Sequence, residues 1–177
     1  MYPIKTDFRD VLKLIGVLSD PDILPEAKGY VALKFMIENF DELPEEQYEN
    51  ALKQLYEFID VGEKEESRRK KPALMNWDQD APLIIPAVNK VLGQEVRAMP
   101  YLHWWTFVGA YMNIDGEGLF SSVISIRSKK AKGKKLEKYE QEFYRDNKSL
   151  IDIKKKRSNE DQEALNELRR ALGFKER

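Results

Sequence analysis

Apolar residues in this chain recur every three or four positions along most of its length, and no stretch makes a convincing alternating strand. That period places side chains on one face of an α-helix, so it confines the chain to helix-on-helix packing. Phe8, Val11, Leu12, Ile15 and Leu18 form a first stripe, which Asp20-Pro21 interrupts. Pro25 suits a first helical turn, and Tyr30, Leu33, Ile37 and Phe40 follow it. Pro44 with Glu45 and Glu46 opens a third helix, whose stripe is Tyr48, Ala51, Leu52, Leu55 and Ile59. Short joints between these three favour antiparallel packing. Residues 61–72 read as a mixed-charge, mobile loop.

In "WDQDAPLIIPAVNKVLG", Asp78 or Asp80 is placed to cap a helix. Pro86 is expected to kink that helix or delay its regular start. Pro100 opens the next segment, "YLHWWTFVGAYM". One stripe there is Tyr101, Trp104, Val108 and Tyr111, and another is Leu102, Trp105, Gly109 and Met112, with Phe107 adding to the apolar total. A helix apolar nearly all round is expected to be buried nearly all round, as a central helix or as half of an interface. Leu119, Val123 and Ile126 mark a further helix. Leu136, Tyr139 and Phe143, with Tyr144 beside them, make a narrow stripe on a strongly charged one. Ser158 and Asp161 fit a capping pattern, and Leu165, Leu168 and Leu172 run to a stop at Gly173. The expected architecture is all-α, a compact bundle of about six to eight helices, with a helical core domain over residues 1–127 and a charged helical extension over 128–177 that packs on it or projects from it.

The net charge of -1 hides a gradient. Residues 1–62 carry -7, residues 63–127 carry zero, and residues 128–157 carry +7. Such a chain can attract copies of itself head to tail or offer its basic part to an acidic partner, though charge runs are also ordinary solvated helix faces. There are no cysteines and a single histidine, so thiolate chemistry and multi-histidine metal clusters are excluded. No apolar run approaches the roughly 20 residues of a membrane span, and the first residues do not read as a signal peptide, so a cytoplasmic protein is expected. No nucleophile elbow and no phosphate-binding glycine loop is present.

His103 could act as a general base only if a nucleophile and an orienting carboxylate met it, and its helical neighbours cannot supply them. A structural histidine is the better reading. Asp78 and Asp80 offer too few oxygens for a hard cation, so capping, or a salt bridge to Arg127 or His103, is expected of them. Lys129, Lys130, Lys132, Lys134 and Lys135, followed by Tyr139, Phe143 and Tyr144, could hold phosphates and stack bases. The overall pI near 6.0 weighs against that.

With Asp7 to Ile23, Asp78-Gln79-Asp80-Ala81, Leu102-His103-Trp104-Trp105-Thr106-Phe107 and Val123 to Arg127 in that order, the chain resembles the "gene product fifteen" proteins of long-tailed phages and prophages of Gram-positive bacteria. The Leu-His-Trp-Trp-x-Phe element is the most specific part, and Pro82 and Pro86 look atypical. The resemblance implies a non-catalytic tail assembly chaperone without cofactor or metal. It would bind the helical tape measure protein in the host cytoplasm, with the major tail tube protein as a further partner, and be absent from the mature virion. Adjacent helical residues point about 100° apart, so one tryptophan is expected to be core. Trp105 is assigned to the core, and with Leu102, Phe107 and the half-buried His103 it is expected to be structural. Tyr101, Trp104, Val108 and Tyr111 are assigned to a partner. The alternative function is a nucleic-acid-binding regulator acting through residues 128–148.

Overall fold

The computed structural model describes residues 2–62, 72–154, 159, 160 and 163. Eight α-helices lie wholly within these residues: α1 (Phe8–Leu18), α2 (Pro25–Met36), α3 (Tyr48–Ile59), α4 (Trp77–Leu92), α5 (Trp104–Met112), α6 (Leu119–Ala131), α7 (Lys138–Asp146) and α8 (Lys148–Ile151); Asn159, Glu160 and Glu163 are helical as well. Strand-like pairing among them is confined to two isolated bridges, Ile4 with Ile37 and Asp7 with His103. The all-α expectation is met. Residues 63–71 of the expected loop lie outside the described residues, as do Ser158, Asp161, Leu165, Leu168, Leu172 and Gly173 of the expected last helix.

Local chemistry sets most helix ends. The Asp7 carboxylate accepts the Arg9 N–H at 2.9 Å and caps α1. Pro25 occupies the first turn of α2, where its missing N–H is no loss. The cap of α4 is Asn76, which accepts the Gln79 N–H at 2.9 Å, rather than Asp78 or Asp80. The helix starts at Trp77, so both aspartates fall inside its first turn. Pro86 neither breaks α4 nor delays it: the helix is continuous to Gly93, whose φ of 71° ends it in the left-handed region. Pro82 and Pro86 deprive the Asp78 and Pro82 carbonyls of their partners four residues on. Asp78, Pro82 and Pro86 are all exposed, so water can take those carbonyls.

The helices pack in an order that follows the chain only loosely. α3 lies on α2 and α2 on α1; α1 meets α4 and α5; α4 meets α6; and α6 meets α8, which holds α7. One core joins α1 to α5 and reaches Phe120. A smaller one, Val123, Ile126 and Ile151, takes Leu136, Phe143 and Tyr144 against it. The described part of the basic extension therefore packs on the bundle through α6, and the expected boundary at residue 127 falls inside that helix.

Candidate functional site

The two most distinctive segments of the sequence meet each other. Residues 6–8 pair with residues 102–104: the Phe8 N–H donates to the Leu102 carbonyl at 2.9 Å, and the Trp104 N–H donates to the Thr6 carbonyl at 2.8 Å. The Leu102 N–H donates to the Asp7 carboxylate at 3.0 Å. Arg9 pairs with that carboxylate at 2.9 Å and reaches on to the carbonyls of Val96 and Met99. Phe8 stacks on Phe107 with ring centroids 4.5 Å apart. These contacts keep residues 101–103 out of the helix, so α5 begins only at Trp104, with His103, in extended backbone, as its cap. The His103 Nδ1 accepts the Trp105 N–H at 3.1 Å, which gives the chain's single histidine a structural role. Sequence reasoning missed Asp7 and Arg9. The carboxylate just before the first apolar stripe is a cap signal that could have found Asp7, but nothing local marks the reach of Arg9.

The expected orientation of the tryptophans is reversed: within α5 the Trp104 stripe turns to the core and the Trp105 stripe to the outside. Trp104 is 2% exposed and Val108 is buried, whereas Trp105 is 47% and Met112 64% exposed. The Trp104 ring packs between Trp77 and Phe107, and its Nε1 donates to the Ile59 carbonyl at 2.9 Å. Tyr111 is half-buried against Trp77 and Phe120, its hydroxyl 3.2 Å from Met75 Sδ. Burial, then the Asp80 charge, raises its pKa above the ordinary tyrosine value. Tyr101 is exposed but lies off the helix, its hydroxyl 2.7 Å from Thr6 Oγ1. The Tyr101/Trp104/Val108/Tyr111 stripe is therefore no open surface. Leu102 and Phe107 are core as expected, and Trp105 is not.

Asp80 and Arg127 form the expected ion pair, and it is buried. The guanidinium meets both carboxylate oxygens, at 2.6 and 2.9 Å, with Arg127 5% and Asp80 0% exposed. The remaining Arg127 donors go to the carbonyls of Leu74, Leu150 and Ile151. Asp80 also accepts the Asn76 N–H. All five guanidinium donors are used, so the pair is tolerable at that depth. It clasps α8 onto α4 and α6. Asp78 is exposed.

The basic run divides. Lys129 is bonded to both oxygens of the buried Glu140, at 2.7 and 2.8 Å. That hydrogen bond holds the Glu140 carboxyl below the ordinary glutamate value and raises Lys129. Glu140 also closes a capping box with Glu137 at the start of α7, a role the sequence reading missed although the Glu-x-x-Glu spacing was there. Lys130 pairs with Asp152 at 2.6 Å and lies 3.7 Å from the Tyr144 ring centroid. Lys132, Lys134 and Lys135 remain exposed. Phe143 and Tyr144 turn inward, and only Tyr139 of the expected aromatic set stands out, at 69% exposure. The segment so offers less to nucleic acid than its composition suggested.

On the outward side of α5 Trp105, Thr106 and Met112 are exposed and Gly109 is half-buried, and Trp105, Gly109 and Met112 fall in line at i, i+4 and i+7. The Trp105 ring stacks on Phe58, 5.9 Å between centroids, and its Nε1 donates to the Phe58 carbonyl. A Cβ built on Gly109 would meet nothing within 4 Å. Phe58 is also the end of an apolar groove of about 420 Å³ that Tyr2, Ile4, Leu43, Ala51 and Leu55 help to line. Among the described residues no cluster of three or more His, Asp or Glu could hold a metal ion, and no helix is long and apolar enough to cross a membrane.

Neither a curated protein nor a solved structure matches this chain. A protein-family model does: that of the Bacteriophage Gp15 protein, over residues 1–153. The matched span runs from the segment before α1 through α8, and contains both the joint of residues 6–8 with 102–104 and the Asp80–Arg127 clasp. The chain is a member of the bacteriophage Gp15 family.

Proposed function

We propose that this protein is a non-catalytic tail assembly chaperone that binds an amphipathic helix of the tape measure protein. The observation that carries the reading is the outward face of α5. Trp105 and Met112 present a half-exposed indole and a flexible thioether, with a glycine between them. Aromatics bury large area with few rotors, and methionine adapts to varied apolar partners. Glycine in mid-helix costs about 0.5–1 kcal/mol relative to alanine. Among the described residues nothing lies within 4 Å of where that side chain would stand. A partner backbone lying close against α5 needs the absence of a side chain there. A long apolar helix would aggregate if left bare, and a face with anchors one and two turns apart suits it. Binding needs no nucleotide, and competition from tail tube subunits suffices for release.

The test is co-expression with the tape measure protein of the same phage, followed by size-exclusion chromatography with light scattering. A soluble complex is expected, and Met112→Asp should abolish it while leaving the fold unchanged by circular dichroism. A tape measure that precipitates beside a soluble, unbound partner would refute the reading.

A further inference from the structure

We propose that the surface of Tyr30, Tyr48 and the acids of residues 38–49 docks the basic loop 132–138 of a second copy of this chain, joining copies head to tail. Residues 38–52 hold Glu38, Asp41, Glu42, Glu45, Glu46 and Glu49 and no lysine or arginine. All six acids are exposed, and none makes an ion pair among the described residues. Beside them the rings of Tyr30, Phe40 and Tyr48 meet at centroid distances of 5.2, 5.3 and 6.4 Å. Tyr30 is 47% exposed, and the Lys34 ammonium already lies 5.8 Å from its ring centroid. Aromatic faces framed by carboxylates attract ammonium groups by cation–π and by simple charge. Burial, followed by the charge of Glu45, raises the Tyr48 hydroxyl above its ordinary value, in keeping with a negative local field.

The complementary surface is on the same chain. Lys129 and Lys130 are engaged internally, but Lys132, Lys134, Lys135 and Lys138 are exposed and unpaired among the described residues. Gly133, at φ 64°, turns the chain out of α6 and so presents them on a short loop, with Tyr139 exposed beside it. The acidic surface is formed by the connection from α2 to α3 and the start of α3, at one end of the helix packing order, and the basic loop joins α6 to α7 at the other. The lysines of one copy therefore leave its own acids unserved. The segments that carry the two surfaces have equal and opposite charge, -7 over residues 1–62 and +7 over 128–157, which favours another copy over an unrelated basic partner. A contact between unlike surfaces repeats, giving a ring or an open row. Neither surface includes Trp105, Gly109 or Met112, so a row would present a series of client sites.

Sedimentation velocity over a wide concentration range tests this with the full chain and no client, so its outcome is separate from that of the chaperone reading. In about 0.1 M salt the average mass should rise with concentration. In about 1 M salt, where the Debye length falls from about 10 to about 3 Å, it should return to monomer. Lys132→Glu/Lys134→Glu/Lys135→Glu and Asp41→Lys/Glu45→Lys/Glu49→Lys should each weaken self-association at least about 100-fold. An equimolar mixture of the two should associate again. Circular dichroism checks that each variant is folded, and the corresponding Gln substitutions replace any that is not. A wild type monomeric throughout, association that survives either reversal, or a mixture that stays monomeric overturns the proposal. So does a wild type that stays monomeric yet binds short duplex DNA through the three lysines.

Discussion

Gly109→Ala separates what the fold needs from what a partner needs. Gly109 lies in the middle of α5, and the added methyl would meet nothing within 4 Å. Alanine removes the conformational penalty of a helical glycine without any clash, so the variant should be more stable by about 0.5–1 kcal/mol. In a chain of this size about 1 kcal/mol moves Tm by roughly 2–4 °C, so a rise of about 1–4 °C is expected in a thermal melt, with a matching rise in urea midpoint. The same methyl would stand where a client backbone approaches. Overpacking of a close contact costs about 1–3 kcal/mol, so binding to the tape measure helix should weaken by about 5- to 150-fold, read by calorimetry or fluorescence titration. A stability gain without a loss of binding would show that the outward face of α5 is not the client site. A fall in Tm would show that Gly109 is needed inside the fold and would remove the observation on which the proposed function rests.

Other perturbations bear on the two joints and the core. Trp104→Ala should cost about 3–5 kcal/mol in urea unfolding, whereas Trp105→Ala should cost well under half of that; equal losses would contradict the opposite burial of the pair. Asp80→Asn leaves Arg127 without its counter-charge at depth and should cost about 3–5 kcal/mol, with amide exchange rising first in α7 and α8; unchanged protection there would refute the clasp. Acid should loosen the same region. The Glu140 pKa is depressed in the folded state by the Lys129 hydrogen bond, so its contribution is fully present above the ordinary glutamate value of about 4.5 and is lost as pH falls through the lower folded value. Hydrogen exchange of α7 should rise below about pH 4.5, and Lys129→Gln should shift that onset upward; an onset indifferent to the substitution would show that the pair does not hold α7.

Much of the architecture could be read from local pattern. The expected stripes of α1, α3 and α6 face the core in part: Phe8, Val11, Leu55, Val123 and Ile126 are buried and Leu12, Ile15, Leu18, Tyr48, Ala51, Leu52 and Ile59 half-buried, while Leu14, which the α1 stripe did not include, is fully buried. The all-α class follows from the same period. Asp80 with Arg127 was within reach as one of two possible pairings, since a buried carboxylate must find a cation. The face that α5 shows to solvent was not legible, nor was the identity of the Asn76 cap. The two apolar stripes of α5 have the same period, so periodicity cannot choose between them; segments remote in the chain make the choice, the Ile59 carbonyl taking the Trp104 indole N–H while Thr6, Asp7 and Phe8 hold the backbone of residues 102–104. Trp105 is left at the edge, on the Phe58 carbonyl. Composition likewise counted the lysines without showing that Glu140 and Asp152 neutralise two of them. Periodicity and charge are properties of the sequence by itself and determined the helices and their polarity. Which side of a helix is left bare depends on contacts between distant segments, and only the tertiary structure decided it.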